Sequence, residues 1–108
     1  MHHIFVASDG TGRTAEQAVR AAMTQFSGQE IEILRFSDIR NNLQIQQLVR
    51  QAIEMKAFIV HTLVSDKLRE ELFRTARLHN VETIDLMGPL LDRMSEQFSA
   101  NPSEQPGL

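Results

Sequence analysis

The sequence predicts an α/β fold of three layers, in which four βα units build a parallel four-stranded sheet. Short apolar runs alternate four times with longer segments whose apolar residues recur every three or four positions. Strands that alternate with helices in this way form parallel sheets joined by right-handed crossovers. The chain has 108 residues and 42% hydrophobic content, which is enough for one domain around one compact core.

The first two units are predicted from a buried strand, an amphipathic helix and a charged strand. Ile4–Ala7 is a short apolar run, typical of a buried strand, and Gly28 closes the helical segment that follows it. The inward positions predicted for this first helix are Ala15, Ala18, Val19, Ala22, Met23 and Phe26. Ile31–Phe36 predicts a strand interrupted by charge, and Ser37–Asn42 a polar turn. The second helix is predicted from the helical spacing of Ile45, Leu48, Val49, Ala52 and Ile53.

The last two units begin with the most continuous apolar run in the chain. Ala57–Val64 predicts a strand covered on both faces, and Ser65 is the predicted N-cap of the next helix. Val81–Leu86 predicts the fourth strand, and Gly88 and Pro89 open the last helix. The inward positions of the third helix are Leu68, Leu72, Phe73 and Ala76. Those of the last helix are Leu90, Leu91, Met94 and Phe98.

The hydrophobicity of the strands predicts their order. The first and third strands are the most apolar and belong in the middle, so the charged second and the shorter fourth lie at the edges, in the order 2-1-3-4. This arrangement is Rossmann-like or flavodoxin-like. The chain changes direction between strands 1 and 3, and the crevice outside their carboxyl ends is the expected ligand site.

The chain is expected to divide at residue 98. Residues 1–98 carry the α/β pattern and form the predicted domain. Residues 99–108 are polar, contain two prolines and one glycine, and show no apolar period. We predict this segment to be a linker or a truncated end.

Composition limits the classes of protein and of site. The net charge of −3 provides no basic stripe for nucleic acid, and the absence of cysteine excludes disulfides and thiolate zinc sites. The four histidines show no metal-binding spacing, so no metal site is expected. No apolar run is long enough to span a membrane and no secretory signal pattern is present, so the predicted location is the cytoplasm.

The strongest candidate site is the glycine-rich and hydroxyl-rich loop between the first strand and the first helix. Such a loop directs backbone N–H groups from a helix N-terminus toward an anion, most often a phosphate. The predicted phosphate-, nucleotide- or target-binding residues are Ser8, Asp9, Gly10, Thr11, Gly12, Arg13, Thr14 and, after strand 3, Thr62. His61 lies near the same crevice and is either a general base or a hydrogen-bonded residue at a strand end.

Two other interpretations of this loop remain open. Gly10–Ala15 fits the dinucleotide pattern G-x-G-x-x-A, with Asp38 near the ribose position, although Asp9 would place a carboxylate beside the pyrophosphate. Alternatively, the glycines only form a tight turn while Asp9, Thr11 and Thr14 cap the helix. Capping does not explain Arg13, because a cation in the first turn opposes the helix dipole.

Ser-Asp-Gly-Thr-Gly-x-Thr-Ala-Glu at residues 8–16 resembles the start of the regulatory proteins of pyruvate, phosphate dikinase and phosphoenolpyruvate synthase. Similar features continue at Gln25-Phe26, Phe36-Ser37 and Thr62–Val64. They extend to residues 85–90 and to the closing residues 102–107, so that the resemblance covers nearly the whole chain.

The resemblance implies a bifunctional enzyme, with an ADP-dependent serine/threonine kinase that inactivates the dikinase or synthase and a phosphate-dependent pyrophosphorylase that reverses this. It further implies ADP and phosphate as ligands, and catalytic residues in a C-terminal P-loop domain toward which residues 99–108 would lead. No P-loop motif occurs within these 108 residues. We therefore expect an N-terminal domain that binds its target or phosphate without catalysis, or a non-catalytic interaction module, and a homodimer is possible.

Overall fold

The computed structural model describes residues 1–107 and contains four strands and four helices in strict alternation. In chain order they are β1 (His2–Ala7), α1 (Arg13–Met23), β2 (Ile31–Phe36), α2 (Asn42–Met55), β3 (Phe58–His61), α3 (Asp66–Leu78), β4 (Thr83–Asp85) and α4 (Gly88–Phe98). The predicted α/β class with four βα units is confirmed.

The four strands form one parallel sheet in the order β2-β1-β3-β4, which confirms the predicted order. β1 pairs with β2 along its whole length and with β3 from Ile4 to Ala7. Ala7 and His61 are partners in the register, so β1 and β3 end side by side. Their carboxyl ends open into the crevice where the loop after β1 lies.

Apolar residues cover both faces of the sheet, which gives the three predicted layers. On one face Phe5, Ala7 and Ile59 pack with the buried residues of α2 and α3. On the other face Val6 and Val60 pack against α1 through Ala15 and Val19. Alternate residues of β1 therefore enter opposite layers, as the two-residue period of a strand requires.

Several predicted boundaries are wrong by a few residues. β3 ends at His61, and Thr62–Val64 belongs to the loop, although the Thr62 N–H still donates to the Ala7 carbonyl at 3.0 Å. α1 ends at Met23, five residues before Gly28, and Phe26 lies outside it with 64% of its surface exposed. Periodicity overestimated this helix because residues 24–28 form turns after its last hydrogen-bonded turn.

The inward face predicted for α4 is wrong at three of its four positions. Leu90, Met94 and Phe98 are 54%, 40% and 63% exposed, Leu91 is partly buried, and Gly88 is the one buried residue of this helix. The helix itself forms as predicted and is amphipathic, but no element of residues 1–107 covers its apolar side. Phe73 of α3 and Ile53 of α2 are likewise exposed, contrary to the prediction, because they lie at the margins of their helices' buried faces.

A second uncovered apolar surface runs along α1. It is a groove of about 260 Å³ whose lining is entirely apolar. Its residues are Ile4, Ala18, Val19, Ala22, Met23, Phe26, Ile31, Phe58, Val60, Ile84 and Leu86. Among residues 1–107, none of the helices combines the length and apolarity that crossing a membrane requires.

Candidate functional site

The loop between β1 and α1 borders a small cavity at the carboxyl edge of the sheet. The cavity has a volume of about 100 Å³. All eight predicted site residues lie around it, namely Ser8, Asp9, Gly10, Thr11, Gly12, Arg13, Thr14 and Thr62. Val64 lines it as well, as expected for the segment that follows strand 3, and three further lining residues were not predicted, namely Met87, Pro106 and Gly107. The structure thus brings the loop and the end of β3 together, as the strand order requires.

The Asp9 carboxylate points toward the loop after β3, where it is almost wholly buried. Its Oδ2 accepts hydrogen bonds from the backbone N–H groups of Val64 at 3.0 Å and Ser65 at 3.2 Å. This side chain therefore links the loops that follow the two central strands. It does not cap α1, because its accepting oxygen is engaged by the β3–α3 loop.

The carbonyl groups of Ser8–Gly12 are all held by donors from outside the loop or from α1. The Ser8 carbonyl accepts from the Ile39 N–H, the Asp9 carbonyl from the Arg40 guanidinium, and the Gly10 carbonyl from the Asp38 N–H. The Thr11 carbonyl accepts from the Arg35 guanidinium, and the Gly12 carbonyl from the Glu16 N–H. The three backbone bonds measure 3.1, 2.9 and 3.0 Å, and the bond from Arg35 measures 3.4 Å. Five consecutive peptide oxygens are therefore occupied by the protein itself.

The backbone N–H groups of the same loop remain largely without acceptors. Within residues 1–107, those of Thr11, Gly12 and Thr14 have none, and all three residues line the cavity. Gly10 donates to Ser8 Oγ at 2.9 Å, and Arg13 to Thr11 Oγ1 at 3.3 Å. Bound carbonyls and unbound N–H groups give the loop a positive electrostatic character on its cavity side.

Gly12 is the N-cap of α1 and supplies no side chain to cap it. Its φ of +86° is the left-handed conformation that glycine tolerates best. A Cβ at this position would lie 2.9 Å from Arg35 Cγ, so a larger residue would also force the Arg35 side chain to move. Of the three side chains predicted to cap this helix, Thr11 alone accepts a hydrogen bond from its first turn, at 3.3 Å from the Arg13 N–H, whereas Asp9 and Thr14 do not cap it.

The arginines near the loop differ in their partners: Arg20, Arg35 and Arg40 contact acidic groups or carbonyls of the chain, whereas Arg13 does not. Arg35 and Arg20 both bind Glu16, and their hydrogen bonds hold the pKa of the Glu16 carboxyl below its usual value, Arg20 contributing most. Arg40 lies beside Asp38 and holds the Asp9 carbonyl. Arg13 lines the cavity, is exposed, and forms no ion pair within the described part of the chain.

His61 does not face this cavity. It is 3% exposed, and its Nδ1 has no hydrogen-bond partner. It borders a separate cleft together with Arg69 and Asp85. Burial lowers the pKa of His61, while the Asp85 carboxylate opposes this effect. The predicted alternative of a hydrogen-bonded histidine is not seen in this structure, and the ring lies on the α3 side of the sheet.

The structure offers no metal-binding cluster of histidine and carboxylate side chains among residues 1–107.

The family model described as kinase/pyrophosphorylase matches residues 4–108 of the sequence. The chain belongs to the kinase/pyrophosphorylase family. The resemblance identified from the loop motif is thus confirmed at the level of the family.

Curated relatives of this chain carry the name pyruvate, phosphate dikinase regulatory protein. The protein of Shouchella clausii is 39% identical over 105 residues, which are 97% of this chain and 39% of the relative. That of Geotalea daltonii is 37% identical over 108 residues, covering 100% of this chain and 40% of the relative. The chain therefore spans about two fifths of the length of these relatives.

Proposed function

We propose that this chain is the phosphate-recognising domain of a bifunctional kinase and pyrophosphorylase that regulates pyruvate, phosphate dikinase in the cytoplasm. In the whole enzyme, an ADP-dependent kinase activity phosphorylates the target and a phosphate-dependent activity removes that group with release of pyrophosphate. The family match and the names of the relatives support this proposal. Phosphoenolpyruvate synthase is the alternative target.

One observation carries the role of this domain: residues outside the loop hold its carbonyl groups, whereas the N–H groups of Thr11, Gly12 and Thr14 have no acceptor within residues 1–107. With the carbonyl oxygens of Ser8–Gly12 all engaged, a ligand meets the unpaired N–H groups of Thr11, Gly12 and Thr14 at the N-terminus of α1. The helix dipole adds to their attraction for an anion, and Arg13 adds a full charge at the rim. A phosphate, free or carried by the target or by ADP, fits this chemistry.

We propose that the chain recognises phosphate without transferring it. Phosphoryl transfer requires groups that position the phosphates and neutralise the charge of the transition state, supplied in kinases by glycine-rich loops, lysine and metal ligands. The P-loop motif G-x-x-x-x-G-K-[ST] does not occur in these 108 residues. In the dinucleotide alternative the pocket would have to accept a nucleoside, whereas the cavity measures about 100 Å³ and pockets that bury ligands of that size measure at least about 300 Å³.

Phosphate binding is measured directly by titrating the 15N-labelled chain with inorganic phosphate and following the amide resonances of Thr11 and Gly12. We expect both to shift saturably, and Arg13→Ala to weaken binding about tenfold, as expected for one charge-assisted bond. Arg50→Ala is the matched control, since Arg50 is an exposed arginine of α2 outside the cavity. Absence of a saturable shift, or equal loss in both variants, would contradict the proposed site.

A second candidate function is docking to the target enzyme without any ligand. The apolar groove along α1 and the exposed side of α4 favour it, because large apolar patches usually mark interaction surfaces. Sedimentation of the chain alone and mixed with purified pyruvate, phosphate dikinase separates the possibilities. Co-sedimentation that is unaffected by Arg13→Ala but lost on Phe98→Ser would favour docking through the apolar surface over recognition through the loop.

A further inference from the structure

The segment after α4, residues 99–107, returns across the carboxyl edge of the sheet without forming a helix or strand. Its Glu104 side chain reaches α3, where Oε1 accepts a hydrogen bond of 2.8 Å from the Asp66 N–H. Asp66 is the first residue of α3, so a carboxylate occupies the positive end of that helix. This contact anchors the segment beside the loop.

Two residues beyond this anchor, the segment closes one side of the loop cavity. Pro106 and Gly107 both line the cavity together with Ser8–Thr14. A Cβ placed on Gly10 would lie 3.5 Å from Pro106 Cβ and 3.6 Å from the Gly107 carbonyl oxygen. The segment thus packs against the loop at van der Waals distance and forms a wall of the site.

The wall decides how large a ligand can be. The cavity measures about 100 Å³ with the segment in place, whereas a cavity that holds one water molecule measures at least about 10–15 Å³ in the same terms. The cavity therefore has room for several water molecules or for one small anion such as phosphate. Pockets that bury a nucleotide-sized ligand measure at least about 300 Å³, so this cavity is too small to bury a whole nucleotide while the wall is in place.

We propose that residues 101–107 are a strap that restricts the loop site to one phosphate group, and that Glu104 is the residue that holds it closed. The inference rests on the proposed phosphate site and adds its size limit. Inorganic phosphate, or a phosphoryl group on a thin side chain, enters with the strap closed. Pyrophosphate and ADP require Glu104 to leave α3.

The first test compares inorganic phosphate, pyrophosphate and ADP by the same amide titration in the whole chain and in Glu104→Ala. We expect the whole chain to bind pyrophosphate and ADP at least tenfold more weakly than phosphate. Glu104→Ala should reduce that gap to threefold or less while changing the affinity for phosphate less than twofold. Glu96→Ala is the matched control, because Glu96 is an exposed glutamate of α4 paired with Arg93.

A reversible disulfide bond between the loop and the strap distinguishes closure by the strap from a general effect of Glu104→Ala. The chain contains no cysteine. The separation of 3.5 Å between a Gly10 Cβ and Pro106 Cβ matches the distance that a disulfide spans. In a Glu104→Ala chain that also carries Gly10→Cys and Pro106→Cys, oxidation should restore exclusion of pyrophosphate and reduction should remove it. The same chain without Gly10→Cys cannot form the bond and should respond to neither treatment.

The outcomes separate the two proposals. If phosphate binds but pyrophosphate binds the whole chain equally well, the strap is wrong and the phosphate site stands. If pyrophosphate stays excluded from Glu104→Ala and from the reduced cysteine pair, the limit has another cause and the strap is again wrong. If no variant binds phosphate, with circular dichroism showing each to be folded, the proposed function fails and the strap fails with it.

Discussion

Oδ2 of Asp9, at the end of β1, accepts a hydrogen bond of 3.0 Å from the backbone N–H of Val64, which follows β3. A second bond, from Ser65, makes this carboxylate the acceptor for two N–H groups at the edge of the sheet. We expect Asp9→Ala to lower the free energy of unfolding by about 2–3 kcal/mol, because both donors lose their partner. Asp9→Asn retains one oxygen acceptor and should cost about 1 kcal/mol less.

Urea unfolding monitored by circular dichroism measures these differences. Asp92→Ala on the exposed side of α4 is the control and should change the unfolding free energy by no more than about 0.5 kcal/mol. Equal stability of Asp9→Ala and Asp92→Ala would mean that the link between the two loops contributes nothing.

Gly12 and Gly28 provide a matched pair for separating backbone strain from steric conflict. Their φ angles are +86° and +79°, but a Cβ at Gly12 would meet Arg35, whereas nothing lies within 4 Å of one at Gly28. We expect Gly28→Ala to cost about 1 kcal/mol from the left-handed conformation alone. Gly12→Ala should cost about 3 kcal/mol, because Arg35 must also move away from the loop.

A double-mutant cycle with Arg35→Ala tests this explanation. With the arginine side chain removed, the cost of Gly12→Ala should fall to that of Gly28→Ala. If the cost does not change, the conflict with Arg35 is not its cause.

His61 should make the stability of the chain depend on pH near neutrality. Burial lowers its pKa in the folded state below the value of about 6.5 that applies to the unfolded chain. Below about pH 6.5 the unfolded chain therefore binds more protons than the folded chain, and the unfolding free energy decreases by at most about 1.4 kcal/mol per pH unit. Above that pH His61 is neutral in both states and causes no loss of stability.

Urea unfolding at pH 7.5, 6.5 and 5.5 in the whole chain and in His61→Asn measures the effect. We expect the decrease to be smaller in the variant, which has no imidazole to protonate. Identical pH profiles would show that His61 is not responsible.

Two phenylalanines test the exposed side of α4. Phe5 is 0% exposed in β1, and Phe98 is 63% exposed in α4. Phe5→Ala should lower the unfolding free energy by about 3–5 kcal/mol, as loss of a buried ring does. Phe98→Ala should change it by less than about 1 kcal/mol. Thermal unfolding of the two variants would reveal comparable losses if α4 packed inward as its periodicity predicts.

Local pattern is sufficient to predict the sheet. Phe5, Val6, Ile59 and Val60 are almost fully buried, and the uniform hydrophobicity of their two strands correctly predicts a central position for both. Periodicity fails at α4, because an apolar stripe shows that a helix has a preferred side but not whether anything within residues 1–107 covers it.

The site is predictable in its position but not in its hydrogen bonding. The glycines and hydroxyl groups of Ser8–Thr14 identify the loop, yet the partner of Asp9 lies 55 positions away and becomes adjacent only when β1 and β3 pair. Arg35 and Arg40 were missed as supports of the loop carbonyls. The signal available was their place at or just after the carboxyl end of β2, the same edge at which β1 ends.

The loop's peptide groups are oriented by partners at fixed positions in β2, in the turn after it and in α1. None of these peptide groups can flip without breaking a hydrogen bond, whose donor is Ile39, Asp38, Glu16, Arg35 or Arg40. The direction of these peptide groups is therefore fixed by the main chain and by these partners rather than by the side chains of Arg13 and Thr14, which accept or donate none of these bonds. Substitution of Arg13 or Thr14 would change the surface of the loop while its N–H groups keep their direction.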